Sequence, residues 1–335
     1  MSDYMPLGFC IKSFEGHISF INVAIQLKTG QVVSGSGDHM LFIWDVDSAV
    51  PTAILFGHSS SIYSLIELKN GNIVSSGFDG TIQVWNLVYM RRVLIILPMG
   101  NPNNIHCILE LSSNRLLSGN GDNTMRIWDL DSGRLLKTLK GHTNQVYLAI
   151  SLQDERRIVS GSYDCTLKVW DTTSWDCLAT LIGHTVCFTC TIELKENNQL
   201  LSGDENGVIF IWNLVTYEIL HFFSSHTKRV ASVVQLLDDN RLVTCGWDET
   251  IKVWDVSTFT CLETFSTGKS RSMCCSLQLK DGQLLVGSLD STMKTLNMKQ
   301  ISQQKWERRR HFLYFKFITI NKLDLFFHYF FHIYI

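Results

Sequence analysis

Serine, histidine and aspartate, the three side chains of a hydrolase catalytic triad, recur together in this sequence. In the stretch SGSYDCTLKVWD, residues 160–171, Ser160 and Asp164 lie close together, and His142 precedes them. In a triad the aspartate orients the histidine, which takes the proton of the nucleophilic serine. Related stretches, however, end at Asp45, Asn86, Asp129, Asn213 and Asp255, with a weaker one at Asn297. Evenly spaced triads make no chemical sense and no G-x-S-x-G elbow is present, so we expect a structural role and no catalytic residue.

Cysteine is the other residue type that could do chemistry here. The chain has 10 cysteines, and only Cys187 and Cys190 form a C-x-x-C pair. A zinc site would need a second pair or a histidine at the right spacing. In a strand these two side chains would also point to opposite faces. We therefore predict buried free thiols, no metal, no cofactor, and a reduced protein of the cytoplasm or nucleus.

The spacing of tryptophan explains the recurring stretches. Successive copies are separated by 41, 43 and then 42 residues, and the positions are Trp44, Trp85, Trp128, Trp170, Trp212, Trp254 and finally Leu296. A fixed period of this length indicates a repeat architecture, and with Gly-His and Trp-Asp marks it is typical of a propeller blade.

One repeat, residues 141–182, contains four short β-rich runs. They are QVYLAIS, RIVSGS, TLKVWD and LATLI, and turn residues separate them. This pattern predicts a four-stranded antiparallel meander. The runs are mostly apolar on both faces, so each sheet needs a neighbour on either side, which radial closure provides.

These residues resemble the WD-repeat family of β-propellers over about residues 9–297. The resemblance implies an all-β, seven-bladed propeller in which each blade is a four-stranded antiparallel sheet. It also implies a hydrogen-bonded His, Ser/Thr, Asp and Trp tetrad in each blade. The complete tetrads of blades one, two, four and six are His17, Ser34, Asp38, Trp44; His58, Ser75, Asp79, Trp85; His142, Ser160, Asp164, Trp170; and His226, Thr244, Asp248, Trp254.

Three blades depart from the family pattern. Blade five is predicted to keep histidine, serine and tryptophan but to have Asn206 in place of the aspartate. Blade three has MGNPNN where Gly-His belongs, and blade seven has Val286 and Leu296 at the serine and tryptophan positions. The retained residues are His184, Ser202 and Trp212 in blade five, Ser118, Asp122 and Trp128 in blade three, and Asp290 in blade seven.

The resemblance also predicts how the ring closes. Phe9–Phe14 should be the outer strand of blade seven, paired near Thr292–Asn297. The domain boundaries are then 9–297 for the propeller and 298–335 for an aromatic-rich C-terminal tail.

The tail leaves three alternatives open. A membrane anchor is disfavoured because Lys316, Lys322 and Asp324 interrupt the apolar run, and each charge costs about 2.5–3.5 kcal/mol near a bilayer centre. A strand pair or helix docked on the propeller, or a divergent extension, are the others. We expect no membrane association.

In the family, partners commonly bind the narrower top face of the propeller. By register this implies the positions Phe20, Asn22, Ser61, Tyr63, Phe78, Asn104, His106, Gln145, Tyr147, Tyr163, Thr189, Glu205, Arg229, Trp247 and Leu289. Aromatic residues and arginine are enriched at interface hot spots. The strongest candidates are Phe20, Tyr63, Phe78, His106, Tyr147, Tyr163, Arg229 and Trp247. The alternative is that the rings pack over the inner strands and plug the channel.

Charge gives a further indication of the partner. The formal net charge is −2 with acids and bases mixed along the chain, so no nucleic-acid partner is expected. Lys228, Arg229, Lys269 and Arg271 could form a basic patch for an acidic or phosphorylated peptide, or they could simply be solvated loop charges.

The sequence therefore predicts a non-enzymatic protein–protein interaction scaffold, a monomeric propeller within a complex. Fold alone does not decide function. One alternative is a substrate-recognition adaptor of a ubiquitin ligase. Against it, only 16 residues precede the first Gly-His histidine, and no repeat has arginine in a Trp-Asp-x-Arg motif. A propeller enzyme is the remaining alternative.

Overall fold

Strands arranged in seven sheets make up the chain. The computed structural model describes residues 10–97, 104–195, 198–237, 240–267 and 273–297, and within them it contains 28 strands in seven four-stranded antiparallel sheets and no helix. No segment of these ranges is therefore a helix that could cross a membrane. The prediction of an all-β, seven-bladed propeller is confirmed. The tail 298–335 lies outside the described residues.

The strands follow the chain from the inside of each blade to the outside. Blade one consists of β2 (Ile21–Gln26), β3 (Val32–Ser36), β4 (Met40–Trp44) and β5 (Pro51–Phe56). Blade two consists of β6 (Ile62–Glu67), β7 (Ile73–Gly77), β8 (Ile82–Asn86) and β9 (Arg91–Ile96). Blade three consists of β10 (Ile105–Leu111), β11 (Arg115–Asn120), β12 (Met125–Asp129) and β13 (Leu135–Leu139). Blade four consists of β14 (Val146–Ser151), β15 (Arg157–Ser162), β16 (Thr166–Asp171) and β17 (Cys177–Ile182).

The remaining blades repeat this order until the last. Blade five consists of β18 (Phe188–Glu193), β19 (Gln199–Asp204), β20 (Val208–Asn213) and β21 (Ile219–Ser224). Blade six consists of β22 (Val230–Gln235), β23 (Arg241–Gly246), β24 (Thr250–Asp255) and β25 (Cys261–Ser266). Blade seven combines β26 (Met273–Gln278), β27 (Leu284–Ser288) and β28 (Met293–Leu296) with β1 (Cys10–Phe14) from the other end of the chain.

Closure of the ring depends on β1. This strand pairs antiparallel with β28, and the register joins Phe14 to Met293 and Cys10 to Leu296. The predicted closing strand is confirmed from Cys10 onward, while Phe9 lies outside the described residues. Because an N-terminal strand completes a C-terminal blade, backbone pairing within one sheet holds the two ends of the propeller together, with an irregularity between Cys10 and Lys12.

The hydrophobic core lies between the blades. One cluster joins Leu41 and Ile43 of blade one to Ile62 and Ile73 of blade two, and all four are buried. Each apolar blade face is therefore covered by the adjacent blade, as a sheet that is apolar on both faces requires.

Four side chains joined in series by hydrogen bonds fix the inside of a blade. In blade one, Trp44 Nε1 donates to Ser34 Oγ at 2.8 Å, and Ser34 Oγ lies 2.7 Å from His17 Nε2. His17 Nδ1 lies 2.7 Å from Asp38 Oδ2. An indole N–H can only donate and a carboxylate can only accept. His17 therefore donates from Nδ1, and burial lowers its pKa, which favours the neutral ring whose Nε2 accepts from Ser34.

The same tetrad occurs in three further blades, as the sequence predicted. Serine or threonine accepts from the indole, and its hydroxyl lies against the histidine in blades two, four and six, with distances of 2.7–2.9 Å. The histidine Nδ1 lies 2.8–2.9 Å from a carboxylate oxygen of Asp79, Asp164 or Asp248. These buried polar groups all have partners, so removal of one leaves the next unpaired.

In blade five the predicted departure is wrong. His184 Nδ1 lies 3.0 Å from Asp204 Oδ2, so Asp204 supplies the missing carboxylate. This residue ends β19, two positions after Ser202, whereas Asn206 only donates its backbone N–H to Asp204. The carboxylate reaches the histidine from the end of the strand instead of from the turn, and a comparison of positions by register could not find it.

Blades three and seven depart from the pattern as predicted. Ser118 still accepts from Trp128 at 2.9 Å, but its hydroxyl donates to Asn120 Oδ1 at 3.1 Å. Asp122 forms an ion pair with Arg126. In blade seven, Asp290 accepts from Thr292 and lies 3.8 Å from Lys294.

The tetrad should dominate the stability of a complete blade. We expect Trp170→Ala to lower the free energy of unfolding by about 3–5 kcal/mol, because it removes a large buried ring. Asp164→Ala should cost about 1–3 kcal/mol because it leaves His142 Nδ1–H unpaired. Asp290→Ala, in a blade with Val286 and Leu296 at tetrad positions, should cost clearly less. Urea denaturation measures all three, and equal losses for the two aspartates would contradict the argument.

Blade five offers a matched pair of substitutions two residues apart. Asp204→Ala should lower the free energy of unfolding by about 1–3 kcal/mol, because His184 loses its carboxylate partner. Asn206→Ala should have little effect, since Asn206 contacts the tetrad through its backbone. Melting temperatures of the two variants decide which residue belongs to the tetrad. A larger decrease in melting temperature for Asn206→Ala would restore the register-based assignment.

Acid should destabilise the propeller in two stages. Burial lowers the pKa of His17 and His142 below 6.5 despite their aspartate partners. The buried neutral rings therefore contribute free energy of unfolding that is lost as pH falls below about 6.5.

The second stage concerns the aspartates. Burial opposes ionisation of Asp79, but hydrogen bonds from His58 and backbone N–H groups outweigh it and lower the pKa to about 2. Its contribution is lost as pH falls from 3.8 toward that value. Thermal melts from pH 8 to pH 3 measure both stages, and a melting temperature that is constant or rises from pH 7 to pH 5 would contradict the first.

Candidate functional site

An open cavity lies on the axis of the ring. It has a volume of about 540 Å³, and we call it the cup. Its lining residues are Phe20, Asn22, Tyr63, Ser64, His106, Cys107, Tyr147, Tyr163, Arg229, Ala231, Trp247, Cys274 and Leu289. They come from the innermost strands and neighbouring turns of six blades, so the β-sheets hold the cup in place from around its circumference.

One wall of the cup consists of aromatic rings from consecutive blades. The ring centre of His106 lies 5.5 Å from that of Tyr63 and 5.7 Å from that of Tyr147, and the centres of Tyr147 and Tyr163 are 5.4 Å apart. Burial raises the pKa of Tyr163 to about 12, so its phenol keeps its proton at neutral pH. The wall is therefore apolar in its bulk and can donate hydrogen bonds at its edge.

Arg229 adjoins this wall at Tyr147 and is held by two rings. Its guanidinium carbon is 4.9 Å from the ring centre of Trp247 and 5.8 Å from that of Tyr147. Arg229 Nη2 donates to Tyr147 Oη at 2.9 Å, and Nη1 is 3.7 Å from Glu205. Arg229 Nε is buried without a hydrogen-bond partner. The guanidinium is thus oriented by its neighbours but retains an unused donor.

His106 provides an unused acceptor. It is 9% exposed, and its Nε2 lies 2.9 Å from Gln145 Oε1. An amide oxygen can only accept, so Nε2 carries the proton, and Nδ1 is a buried atom without a partner. Burial lowers the pKa of His106, which favours the neutral ring. Unsatisfied buried groups of this kind commonly mark a position that a ligand or water satisfies.

The structure brings most of the predicted top-face residues together. Seven of the eight strongest candidates line the cup, and Phe78 packs on Tyr63 with ring centres 6.1 Å apart. Gln145 and Glu205 support lining residues through the contacts given above. Thr189 is instead buried and donates to backbone carbonyls. Of the predicted basic patch, Lys228 is exposed, whereas Lys269 and Arg271 lie outside the described residues. The binding roles of these residues stay predictions.

Five residues near the cup were missed by the sequence analysis. Ser64, Cys107, Ala231 and Cys274 line it from the innermost strands, and Cys187 lies next to Tyr163. Ala231 has the same register as Tyr147, and Cys187 the same register as Arg229, so the repeat itself was a sufficient signal for these two.

The recurring Ser-His-Asp set cannot act as a catalytic triad in blade four. Ser160 is 0% exposed, and its hydroxyl oxygen accepts the Trp170 indole N–H at 2.8 Å. A nucleophile must reach a substrate carbonyl, and this oxygen is enclosed.

All 10 cysteines are free, as predicted, but only Cys107 and Cys245 are buried. Six are partly exposed, and Cys177 and Cys261 are exposed because each begins the outermost strand of its blade. Cys187 and Cys190 bond to carbonyls of Tyr163 and Val230, in different blades. Among the described residues, no group of three or more His, Cys, Asp or Glu side chains could hold a metal ion.

Comparison with known protein families gives a match over most of the chain. The model described as "WD domain, G-beta repeat" matches residues 8–45, 49–86, 96–129, 133–171, 175–213 and 217–255. Five of these segments contain the outer strand of one blade and the three inner strands of the next, whereas 96–129 contains the inner strands of blade three and only the last residue of β9. No curated protein matches the chain. Because these six repeats cover more than half of its residues, the chain belongs to the WD-repeat family of β-propeller proteins.

Proposed function

We propose that this protein is a non-enzymatic scaffold that binds a segment of a partner protein in the cup. WD-repeat propellers are generally protein-interaction scaffolds. The observation that supports this use of the cup is the convergence of five aromatic rings and one oriented arginine on an open cavity. Rigid aromatic residues and arginine supply most of the binding energy in protein interfaces.

The size of the cup favours a peptide segment as ligand. A cavity of about 540 Å³ accommodates a few side chains, not a folded domain. The surrounding turns are held by the blades, so little loop ordering would oppose binding. The partner would insert one or two side chains into the cup and rest its backbone on the rim, with the propeller as a monomeric member of the complex.

The unused hydrogen-bond donors favour an acidic side chain at the rim. Arg229 Nε lacks a partner. Tyr147 Oη already accepts from Arg229, so its own hydrogen can be donated to a ligand. Both groups are complementary to a carboxylate oxygen, and hydrogen bonds to a charged acceptor are the stronger kind.

Glu205 favours a carboxylate over a phosphate. It is 3.7 Å from Arg229 Nη1 and offsets part of the guanidinium charge. A phosphoryl group carries a charge of about −1.5 to −2 at neutral pH and would be repelled more strongly by this glutamate. We therefore propose an Asp- or Glu-containing segment as the partner, with a phosphorylated segment as the weaker fit.

An adaptor role in ubiquitin ligation would use the same cup for its substrate. This role differs from that of a simple scaffold only because the propeller would also need a second surface that binds the ligase. The positions after the Trp-Asp-x motifs hold Asp47, Asp131, Thr173 and Ser257 instead of arginine, so no described feature favours this role over a simple scaffold.

Substitution of residues that line the cup should weaken binding of the partner without unfolding the protein. We expect Trp247→Ala to weaken the principal partner by about 2 kcal/mol or more, roughly thirtyfold, because it removes a central ring and the support for Arg229. Arg229→Gln should weaken an acidic segment and reduce the salt dependence of its association rate. Calorimetric titration against the partner recovered by proximity labelling measures both.

Matched variants separate binding from folding. Lys195→Ala, a cation on a turn remote from the cup, should bind like the unchanged protein. Melting temperatures of all variants should agree within a few degrees, since Trp247 and Arg229 lie outside the tetrads. If both cup variants bind like the unchanged protein, another surface carries the function.

A further inference from the structure

Two cysteines of neighbouring blades meet at a single backbone oxygen. Cys165 lies in the turn between β15 and β16 of blade four, with a φ of 65°, and Cys187 lies just before β18 of blade five. The Sγ atom of each is 3.8 Å from the carbonyl oxygen of Tyr163. Burial, followed by the proximity of the Cys165 thiol, raises the pKa of Cys187 to about 11. Both side chains are partly exposed.

Among the hydrogen bonds of the described residues, no other two cysteine thiols contact the same oxygen atom. The thiols of the exposed Cys177 and Cys261 contact oxygens of their own strands, at Ala179 and Glu263. Cys107 and Cys245 are buried, where an oxidant reaches them poorly. Cys165 and Cys187 are therefore the pair in which accessibility and proximity coincide.

We propose that Cys165 and Cys187 are an oxidisable pair, which hydrogen peroxide converts into a disulfide between blades four and five. The reaction is a two-electron oxidation of two thiols, and the peroxide is reduced to two molecules of water.

The chemistry takes place in two steps. The Cys165 sulfur, after losing its proton, attacks one peroxide oxygen; an S–O bond forms, the O–O bond breaks, and the released hydroxide takes up that proton as water. The Cys187 sulfur then attacks the sulfenic sulfur of Cys165. The S–S bond forms, the S–O bond breaks, and the departing hydroxide takes the Cys187 proton as a second water. Both steps require the attacking thiol to lose its proton, because the thiolate is the nucleophile.

The disulfide would change one wall of the cup. Both sulfurs contact the Tyr163 carbonyl in the reduced protein, and sulfur–sulfur bonding draws them away from it. The ring of Tyr163 lines the cup, and Glu205, which pairs with Arg229, donates its backbone N–H to Cys187. Oxidation would thus shift two groups that face the ligand, a consequence that rests on the proposed function of the cup.

Disulfide mapping of the full chain tests the pair without any ligand. The protein is reduced, freed of reductant, treated with increasing hydrogen peroxide, alkylated and digested, and the peptides are sequenced by mass spectrometry. We expect the first cross-link to join Cys165 to Cys187, with a mass lower by two hydrogen atoms and reversal by dithiothreitol. The cross-link should be lost in Cys187→Ser and retained in the control Cys177→Ser. If peroxide oxidises Cys177 or Cys261 while no link between 165 and 187 forms, the proposal is wrong.

Binding measurements separate the pair from the function of the cup. Titration of the oxidised protein with the acidic partner should show weaker binding than titration of the reduced protein, and dithiothreitol should restore it. In Cys165→Ser, peroxide should leave the affinity unchanged. An unchanged affinity in the fully cross-linked protein would refute the coupling to the cup, whereas failure of the reduced protein to bind any acidic segment would refute the proposed function and not the disulfide.

Discussion

A β-sheet that is apolar on both faces can exist in water only between two other sheets, and this constraint governs the whole molecule. Strands such as β3 and β7 are buried along their full length, so no blade could be stable alone. Closure into a ring gives every blade two neighbours. The ring in turn requires β1 to complete blade seven, which makes the stability of each blade depend on both ends of the propeller.

The tetrads add a polar constraint inside this apolar arrangement. Hydrophobic packing alone tolerates sliding and repacking, but the bonds from Trp44 through Ser34 and His17 to Asp38 fix the positions of two strands, a loop and a turn at once. A fully satisfied buried network favours one arrangement because every alternative leaves a group unpaired. The turn aspartates thereby hold the adjoining residues, Phe78 and Tyr163 among them, at constant positions around the ring.

The sequence predicted the features that repeat and missed those that occur once. Strand order, closure and four tetrads follow from a pattern present in several copies, so each copy supports the others. Asp204 was missed because a carboxylate two residues out of register can reach the same histidine in three dimensions. The exposure of Cys177 was missed because an outer strand has a solvent face that its apolar sequence does not reveal. The contact of Arg229 with Tyr147 joins blades six and four, and register within a blade gives no contact between them.

The division between repeated and unique residues also explains where function can change. Every blade places side chains at the same few positions around the axis. The scaffold determines where these side chains point, but it does not determine the amino-acid type at each position. Residues at these positions, such as Tyr147, Cys187 and Arg229, lie outside the tetrads and are free to differ between blades at little cost in stability. The cup thus combines an arginine and a buried histidine within one rim, and Cys187 lies beside its Tyr163. Preorganisation of this kind lowers the entropic cost of binding.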